Sequence, residues 1–171
     1  MEELVINEDN LQNEEIEIFE DKARALLVCD SKLLVIDYGN TCLFPGGKIE
    51  KNEEDIDALI RELEEELGII YTKEELSPLF KLKYYQKNYP TRNNKIKNRC
   101  ITTSYYIGKF KGINLNNTNR TESEKETTFD IKLISVDDLY ERTNLLTENP
   151  RNIYFNKEMY NALEYFNQKR R

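Results

Sequence analysis

The pattern of apolar and polar residues changes along the chain, and these changes predict the order of its strands and helices. Residues 23–29 and 32–37 are short apolar runs joined by Asp30 and Ser31, which indicates a hairpin of two strands. Residues 40–44 form a third extended piece that ends at the breaker Pro45-Gly46-Gly47. The same criteria predict strands over residues 79–87, 100–110 and 129–135, and helices over residues 53–67, 136–141 and 152–168.

The remaining segments predict the connections and the overall architecture. Residues 87–98 and 112–128 are polar and are expected to be loops, while residues 1–20 are either flexible or an additional edge strand. No repeat or linker divides the 171 residues, a length that suits one domain. We therefore expect a single domain, residues 1–171, of the α/β (α+β) class, with three layers and a mixed sheet.

Composition excludes several kinds of chemistry. The chain contains no histidine, which rules out Ser-His-Asp and Cys-His catalysis and histidine-ligated zinc or haem. The three cysteines, Cys29, Cys42 and Cys100, form no CxxC pair and predict reduced thiols in a cytoplasmic protein. The amino terminus lacks an apolar signal segment, and no apolar run is long enough to span a membrane, so we expect no membrane partner.

Charge is distributed unevenly over the sequence. The net charge of −7 is unlike that of a general DNA or anionic-membrane binder. Residues 50–66 contain nine acidic and two basic residues and therefore carry −7, whereas residues 81–111 contain nine basic residues and no acidic one. The first segment suits cations and the second suits anions. The alternative is that both are simply solvated faces of opposite charge.

The helix predicted over residues 53–67 has two distinct faces. Its apolar residues form a stripe that faces the core, and beside it Glu62, Glu65 and Glu66 share an arc of about 100°. Glu62 and Glu66 are like charges at positions i and i+4, which destabilises a helix by a few tenths of a kcal/mol. Clustered carboxylates of this kind suit a hard divalent cation such as Mg²⁺ or Mn²⁺, although a merely acidic solvated face is the alternative.

The string from Gly47 to Ile69 is similar to the Nudix box, G-x5-E-x7-R-E-U-x-E-E-x-G-U, in which U is apolar. All nine specified positions match without a gap, and the motif covers 23 of the 171 residues. Pro45-Gly46 before the box is also usual in the Nudix hydrolase family. The resemblance implies an α/β/α sandwich around a mixed sheet, and hydrolysis of a nucleoside diphosphate linked to another moiety, with Mg²⁺ or Mn²⁺ as cofactor.

The resemblance also implies roles for individual residues. Glu62, Glu65 and Glu66 would supply the metal carboxylates, with the carbonyl of Gly46 as a further ligand. Glu62 or Glu66 would help to deprotonate the attacking water. Arg61 would orient a catalytic glutamate, and Glu53 would hold both Arg61 and the loop. Family members often add a carboxylate from the loop before the last strand, where Glu126 is our first candidate and Glu124 the second.

The substrate is less well defined by the sequence. Arg92 and Arg99 are candidates for polyphosphate binding, and Tyr84 and Tyr85 are candidates for stacking on a base. Tyr84 and Tyr85 lie at nearly the same distance past the box as a Tyr that occurs in some dinucleoside-polyphosphate hydrolases. Pro78 comes too early for the Pro that marks many ADP-ribose hydrolases. Oxidised nucleoside triphosphates and RNA caps stay open as substrates.

Two functional interpretations follow from the resemblance. The first is a metal-dependent pyrophosphohydrolase whose partner is a small nucleoside diphosphate derivative. The second is a Nudix-fold sensor or regulatory module that binds a nucleotide with little turnover, but such relatives commonly lose box glutamates and none is missing here. The remaining length leaves no room for a DNA-binding domain, and a homodimer is open because dimers are common in the family.

Overall fold

A mixed β-sheet forms the centre of the computed structural model, which describes residues 1–117, 129–144 and 149–170. Its strands are β1 (Glu2–Ile6), β2 (Ile18–Cys29), β3 (Lys32–Asp37), β4 (Cys42–Leu43), β5 (Gly46–Lys48), β6 (Leu76–Pro90), β7 (Ile96–Lys109) and β8 (Asp130–Ser135). The helices are α1 (Asp55–Leu67), α2 (Val136–Thr143) and α3 (Pro150–Arg170). The strand order is β1-β6-β7-β2-β3-β4, with β5 paired to β2 and β8 paired to β3.

The centre of the sheet combines two hairpins through a parallel pair of strands. The hairpins β2–β3 and β6–β7 are antiparallel, whereas β2 and β7 run parallel in a register that pairs Ile18 with Arg99 and Val28 with Lys109. The amino-terminal strand β1 pairs in parallel with β6 at the edge of the sheet. The sheet is therefore mixed, as the sequence predicts.

Alternating residues of β2 separate two apolar cores on opposite faces of the sheet. Ala23, Ala25 and Leu27 pack with α1 residues in one cluster, whereas Leu26 packs with residues of α2 and α3 in the other. This period of two is the geometry of a strand that is covered on both faces. The helices consequently lie on both sides of the sheet, and the predicted three-layered α/β/α arrangement is confirmed.

Helix α1 is held to the sheet by its apolar stripe and ends at a glycine. Leu59, Leu63 and Leu67 are fully buried. Gly68 is left-handed at φ 67°, and its N–H donates to the carbonyl of Glu64, which closes the last turn. The helix begins two residues later than predicted, because Glu53 belongs to the preceding loop, where its N–H donates to the carbonyl of Glu50.

The predicted loop over residues 87–98 is wrong. Strands β6 and β7 continue through most of it and leave only a tight turn, residues 91–95, between them. Thr91 closes that turn, since its N–H donates to the carbonyl of Lys95 and its Oγ1 accepts from the N–H of Lys95. The polar composition of the segment reflects a two-stranded extension whose backbone is paired while many of its side chains lie in solvent.

Other expectations concern the termini, thiols and membranes. The first twenty residues contribute the edge strand β1 and the start of β2, which was one of the two interpretations. Cys29, Cys42 and Cys100 are free thiols, the last two buried. In the part of the chain described here, the helices lack the combination of length and apolar character needed to cross a bilayer.

Replacing Leu59 with Ala tests the packing of α1 on the sheet. Leu59 is fully buried, so the change removes apolar contact and leaves a cavity, and we expect the free energy of unfolding to fall by about 2–5 kcal/mol. The matched control is Leu133→Ala on β8, where the side chain is 36% exposed. Urea denaturation should show a much smaller loss for the control, and equal losses would contradict this account of α1.

Candidate functional site

A paired guanidinium and carboxylate join the middle of α1 to the loop before it. Arg61 donates from Nε to Glu53 Oε1 and from Nη2 to Glu53 Oε2, both at 3.0 Å, and Nη2 also donates to the Lys48 carbonyl at 3.1 Å. Glu53 Oε2 accepts the N–H of Glu50 at 3.0 Å. The hydrogen bonds from Arg61 are the main reason that the pKa of Glu53 is lowered, and those to Glu53 are the main reason that the pKa of Arg61 is raised.

Three further glutamates of α1 converge on the same region. Arg61 Nη1 donates to Glu62 Oε1 at 2.8 Å and lies 3.6 Å from Glu65 Oε1. Glu66 Oε2 accepts the N–H of Gly46 at 2.9 Å. The structure therefore brings together the predicted residues of the box, with Arg61 in contact with three of the four glutamates.

Two glycines allow the backbone of β5 to pass close to β2 and α1. Gly46 has φ 125°, and a Cβ there would lie 2.2 Å from the carbonyl oxygen of Ala23. A Cβ on Gly47 would lie 2.3 Å from the carboxylate of Glu62. A side chain at position 46 is therefore excluded by the backbone of Ala23. At position 47 the missing side chain leaves space beside the Glu62 carboxylate, which is flexible.

This donor set suits a hard divalent cation. Carboxylate oxygens from Glu62, Glu65 and Glu66 are the ligands that Mg²⁺ and Mn²⁺ prefer, and the absent Cβ of Gly47 leaves room beside Glu62. In the described ranges, no three acidic or cysteine side chains already enclose one point as a metal centre would. Arg61 donates to Glu62 Oε1 and the Gly46 N–H donates to Glu66 Oε2, and an ionised carboxylate has further acceptor sites beyond one such bond.

The loop before β8 was predicted to add a ligand from Glu126, with Glu124 as the second candidate. Both residues lie outside the described residues, as does Glu122. The carbonyl of Gly46, the other predicted ligand, lies 3.4 Å from Arg24 Nη1. The two peptide groups that flank the Gly46 Cα are thus both contacted, one by Glu66 at the Gly46 N–H and the other by Arg24 at the Gly46 carbonyl.

Arg24 belongs to a buried polar cluster beneath α3 that the sequence analysis missed. Its Nη1 donates to the Phe44 carbonyl at 2.5 Å, and its Nε lies 4.0 Å from Glu158 Oε1. Glu158 accepts from the hydroxyls of Thr103 at 2.9 Å and Tyr105 at 3.1 Å. The cluster therefore connects helix α3 to the peptide that precedes the glutamate-rich helix.

A cavity of about 700 Å³ opens on this face of the sheet. Its polar wall combines cations with amides, and its remaining wall contains aromatic rings. These residues are Lys22, Arg24, Arg92 and Arg151, then Asn40, Asn149 and Asn152, and then Tyr38, Phe129 and Phe155. Such a cavity, which we call the basic pocket, offers stacking surfaces, amide donors and acceptors, and positive charge in one place.

Lys22 is an unusual feature of the basic pocket. Its side chain is almost fully buried, and burial, followed by repulsion from Arg24, lowers its pKa. Glu20 lies 3.4 Å from its Nζ, and the ring of Phe155 lies below it at 5.9 Å. The signal in the sequence was two cations, Lys22 and Arg24, at alternate positions beside the apolar run 25–28, which places both on one face of a strand.

The predicted substrate residues are not all in this pocket. Arg92 lines it, whereas Tyr84 and Tyr85 line a separate cavity at the far end of β6. Tyr84 is buried among core residues near Tyr154, and Tyr85 faces the other way and donates its hydroxyl to Asn13 Oδ1 at 2.9 Å. Neither tyrosine lines the basic pocket, and base stacking by either ring stays a prediction.

An α/β/α sandwich that carries a glutamate-rich loop–helix element beside a basic pocket is the Nudix fold class. The sequence model of the NUDIX domain matches residues 16–157. The chain belongs to this family, as its box predicts.

Similar proteins agree with this assignment. A stretch of 51 residues is 43% identical to an 8-oxo-dGTP diphosphatase of Haemophilus influenzae, covering 30% of this chain and 38% of that protein. The match thus spans well under half of the relative. A MutT NUDIX hydrolase of Burkholderia pseudomallei has a TM-score of 0.51 at 18% identity, over 82% of this chain and 98% of its own. An Ap4A hydrolase of C. elegans has a TM-score of 0.51 at 15% identity, over 90% and 98%.

The conformational demand on the two glycines predicts different outcomes for their alanine variants. Gly46→Ala should lower the free energy of unfolding by several kcal/mol, because its Cβ would meet the Ala23 backbone at a positive φ. Gly47→Ala should cost about 1 kcal/mol or less, because only the Glu62 carboxylate has to move. Urea denaturation of both variants measures this, and equal losses would refute the distinction.

The Glu53–Arg61 pair predicts a dependence of stability on pH. Glu53→Gln should cost about 1 kcal/mol at pH 7, because the charge-assisted hydrogen bonds become neutral. Since the pKa of Glu53 is lowered in the folded state, this contribution is complete above its ordinary value of 4.5 and disappears as the pH falls through the lowered value.

Unfolding of wild type and Glu53→Gln across this pH range provides the measurement. The exposed Glu50→Gln is the control, since only the backbone of Glu50 contacts Glu53. A difference between wild type and Glu53→Gln that grows as the pH falls would contradict the proposed role of the pair.

Proposed function

We propose that the protein hydrolyses the phosphoanhydride bond of a nucleoside diphosphate linked to another moiety, with Mg²⁺ or Mn²⁺ as cofactor. The observation that carries this proposal is that the glutamate cluster and the basic pocket both contact the backbone of one residue, Gly46. The N–H of Gly46 bonds to Glu66 of the glutamate cluster, and its carbonyl faces Arg24 of the basic pocket. A substrate whose nucleoside lies in the pocket therefore has its phosphates beside the glutamates.

Glu62, Glu65 and Glu66 are the residues that would hold the metal, together with the carbonyl of Gly46. When bound, the metal neutralises the diphosphate and lowers the pKa of water. The family generally uses divalent metals, and the carboxylate donor set favours Mg²⁺ or Mn²⁺ over softer ions. The bidentate contact of Arg61 with Glu53 keeps the guanidinium in place beside Glu62 and Glu65.

The protein's own residues position the reacting groups. Arg61 orients Glu62 through the hydrogen bond from Nη1, so that one carboxylate oxygen faces the cluster. Either Glu62 or Glu66 accepts the proton of the attacking water at a carboxylate oxygen. Arg24 and Lys22 are placed to bind the phosphate oxygens from the pocket side, and their positive charge favours the transition state, in which negative charge accumulates.

The basic pocket suits the nucleoside part of the substrate. Phe155, Phe129 and Tyr38 offer surfaces on which a base can stack, and Tyr38 and Phe129 already pack at 5.7 Å between ring centroids. Asn40 and Asn152 can donate to and accept from the edge of a base. The similar proteins include an 8-oxo-dGTP diphosphatase and an Ap4A hydrolase. Nucleoside triphosphates and dinucleoside polyphosphates are therefore the first substrates to test.

We also propose that residues 1–171 form one domain, with both apolar cores resting on a single sheet. The three free thiols suit a reducing compartment such as the cytoplasm. The partner is a small nucleoside diphosphate derivative.

The double variant Glu65→Gln/Glu66→Gln tests the catalytic assignment. We expect kcat/KM to fall by about a hundredfold or more, because the cation site loses two of its charged ligands. The control is Glu64→Gln on the same helix, whose carboxylate lies outside the cluster and whose substitution should change kcat/KM less than about threefold. Release of phosphate or pyrophosphate with Mg²⁺ is measured on nucleoside triphosphates, dinucleoside polyphosphates and nucleotide sugars.

Three results would count against the proposal. Turnover that survives in the double variant would refute the metal assignment, and turnover in excess chelator would refute the cofactor. Tight nucleotide binding by the wild-type protein without hydrolysis of any compound in the panel would favour the sensor interpretation instead.

A further inference from the structure

A second cavity of about 320 Å³ adjoins the basic pocket along β2. The two share Lys22, Arg92, Arg151 and Phe155 as lining residues. The second cavity adds Ile18, Glu20, Tyr89, Thr91 and Arg99. Its described lining thus contains four basic side chains and one acidic side chain, in a protein whose net charge is −7.

Arg99 is the most informative residue in this second cavity. It is only 5% exposed, its Nε donates to Gln86 Oε1 at 2.9 Å, and its guanidinium lies 3.4 Å from the ring centroid of Tyr89. These contacts fix the orientation of the guanidinium. Its Nη2 is nevertheless buried without a hydrogen-bond partner among the described residues. Arg99 lines the cavity, so its guanidinium is available to form a charge-assisted hydrogen bond with an anionic ligand there.

The acidic lining residue does not neutralise the cations. Glu20 lies 3.6 Å from Arg99 Nη1 and 3.4 Å from Lys22 Nζ, so one carboxylate is shared between two cations. Arg92 and Arg151 add two further positive charges at the mouth. An excess of positive charge in a partly buried cavity attracts anions.

Two aromatic residues line the second cavity, and both rings face cations, Phe155 with Lys22 Nζ at 5.9 Å and Tyr89 with two guanidinium groups. Arg99 lies against the ring of Tyr89, and the guanidinium of Arg151 lies 5.9 Å from the same ring centroid. Arg151 Nε also donates to the Tyr89 hydroxyl at 3.3 Å. Tyr89 therefore serves as a support that holds two cations, and the ligand chemistry that fits is phosphate.

The second cavity is continuous with the proposed reaction site. On β2, Glu20, Lys22 and Arg24 occupy alternate positions and so share one face, with a spacing of about 6.7 Å between successive side chains. Arg24 pairs with Gly46, Lys22 pairs with Lys48, and Ile18 at the start of the strand pairs with Arg99. The cations Arg24, Lys22 and Arg99 therefore follow one another along this face, with Glu20 between the last two.

We propose that this second cavity is a phosphate-binding subsite for the distal part of a polyphosphate chain, with Arg99 as its main ligand. The inference rests on the proposed function and narrows it, since it assigns the protein to substrates with long polyphosphate chains. Dinucleoside polyphosphates with four or more phosphates reach the subsite. Nucleotide sugars, whose distal moiety is neutral, do not use it.

Binding of inorganic tripolyphosphate tests the subsite without turnover. Calorimetry is carried out in chelator on the Glu65→Gln/Glu66→Gln protein, in which two of the four carboxylates around Arg61 are neutral. Adding Arg99→Gln should weaken tripolyphosphate binding by about tenfold or more, as the loss of a charge-assisted hydrogen bond predicts. The matched control is Lys97→Gln, a cation of the same hairpin that pairs with Glu17 at 3.5 Å and lies outside the cavity.

A second variant separates loss of binding from loss of folding, because Arg99 is buried and its substitution could destabilise the protein. Arg92→Gln alters an exposed side chain at the mouth and should weaken tripolyphosphate binding severalfold with no change in the melting temperature. Unchanged affinity in both Arg92→Gln and Arg99→Gln, or equal losses in Lys97→Gln, would overturn the subsite. Because this assay needs no catalysis, its failure is distinguishable from failure of the proposed function, which the hydrolysis panel measures.

The substrate preference supplies the second readout. In protein with the catalytic glutamates intact, Arg99→Gln should lower kcat/KM for a dinucleoside tetraphosphate about tenfold more than kcat/KM for a nucleotide sugar. A purely structural role for Arg99 would lower both values equally together with the melting temperature. Equal losses for the two substrates would therefore overturn the inference.

Discussion

The bidentate contact between Arg61 and Glu53 fixes the geometry on which the candidate site depends. It connects the second turn of α1 to the loop before the helix, and through the Lys48 carbonyl it also connects to β5. Glu62 and Glu65 then take their positions from the same guanidinium. Four carboxylates near one another repel, and the single cation between them offsets part of that repulsion. The arrangement offers several carboxylate oxygens as ligands to a divalent cation.

Positive charge is placed on the other face of the sheet, separated from the glutamates by the backbone of β5. Lys22 and Arg24 are almost fully buried, and Glu158 of α3 lies near Arg24. Burial of charge is expensive unless hydrogen bonds or opposite charges compensate for it. The Nε of Arg24 and Oε2 of Glu158 have no hydrogen-bond partner among the described residues, which is the kind of local cost that functional sites retain. The two faces together favour a substrate whose phosphates need both cations and carboxylates nearby.

The sequence predicted the layered architecture and the glutamate cluster well, because both depend on local patterns. The period of 3.6 in residues 56–67 and the period of two in the apolar strands are written directly in the chain. The extended hairpin β6–β7 was missed, because its strands carry polar side chains there, such as Lys87 and Lys97. The basic pocket was missed for another reason. Lys22 and Arg151 lie 129 residues apart in the chain, and only the tertiary structure brings them to one cavity.

The parallel pairing of β2 with β7 has a consequence for how the chain forms. Residues 18–28 must find residues 99–109, and β1 must find β6 across a similar separation. Closing such long loops costs entropy before any long-range contact compensates, so proteins of this topology fold slowly. During synthesis the inner edge of β2 lacks its neighbour until β7 has left the ribosome. The apolar stretch 25–28 is thus exposed for much of translation, when a chaperone would have its best opportunity to bind.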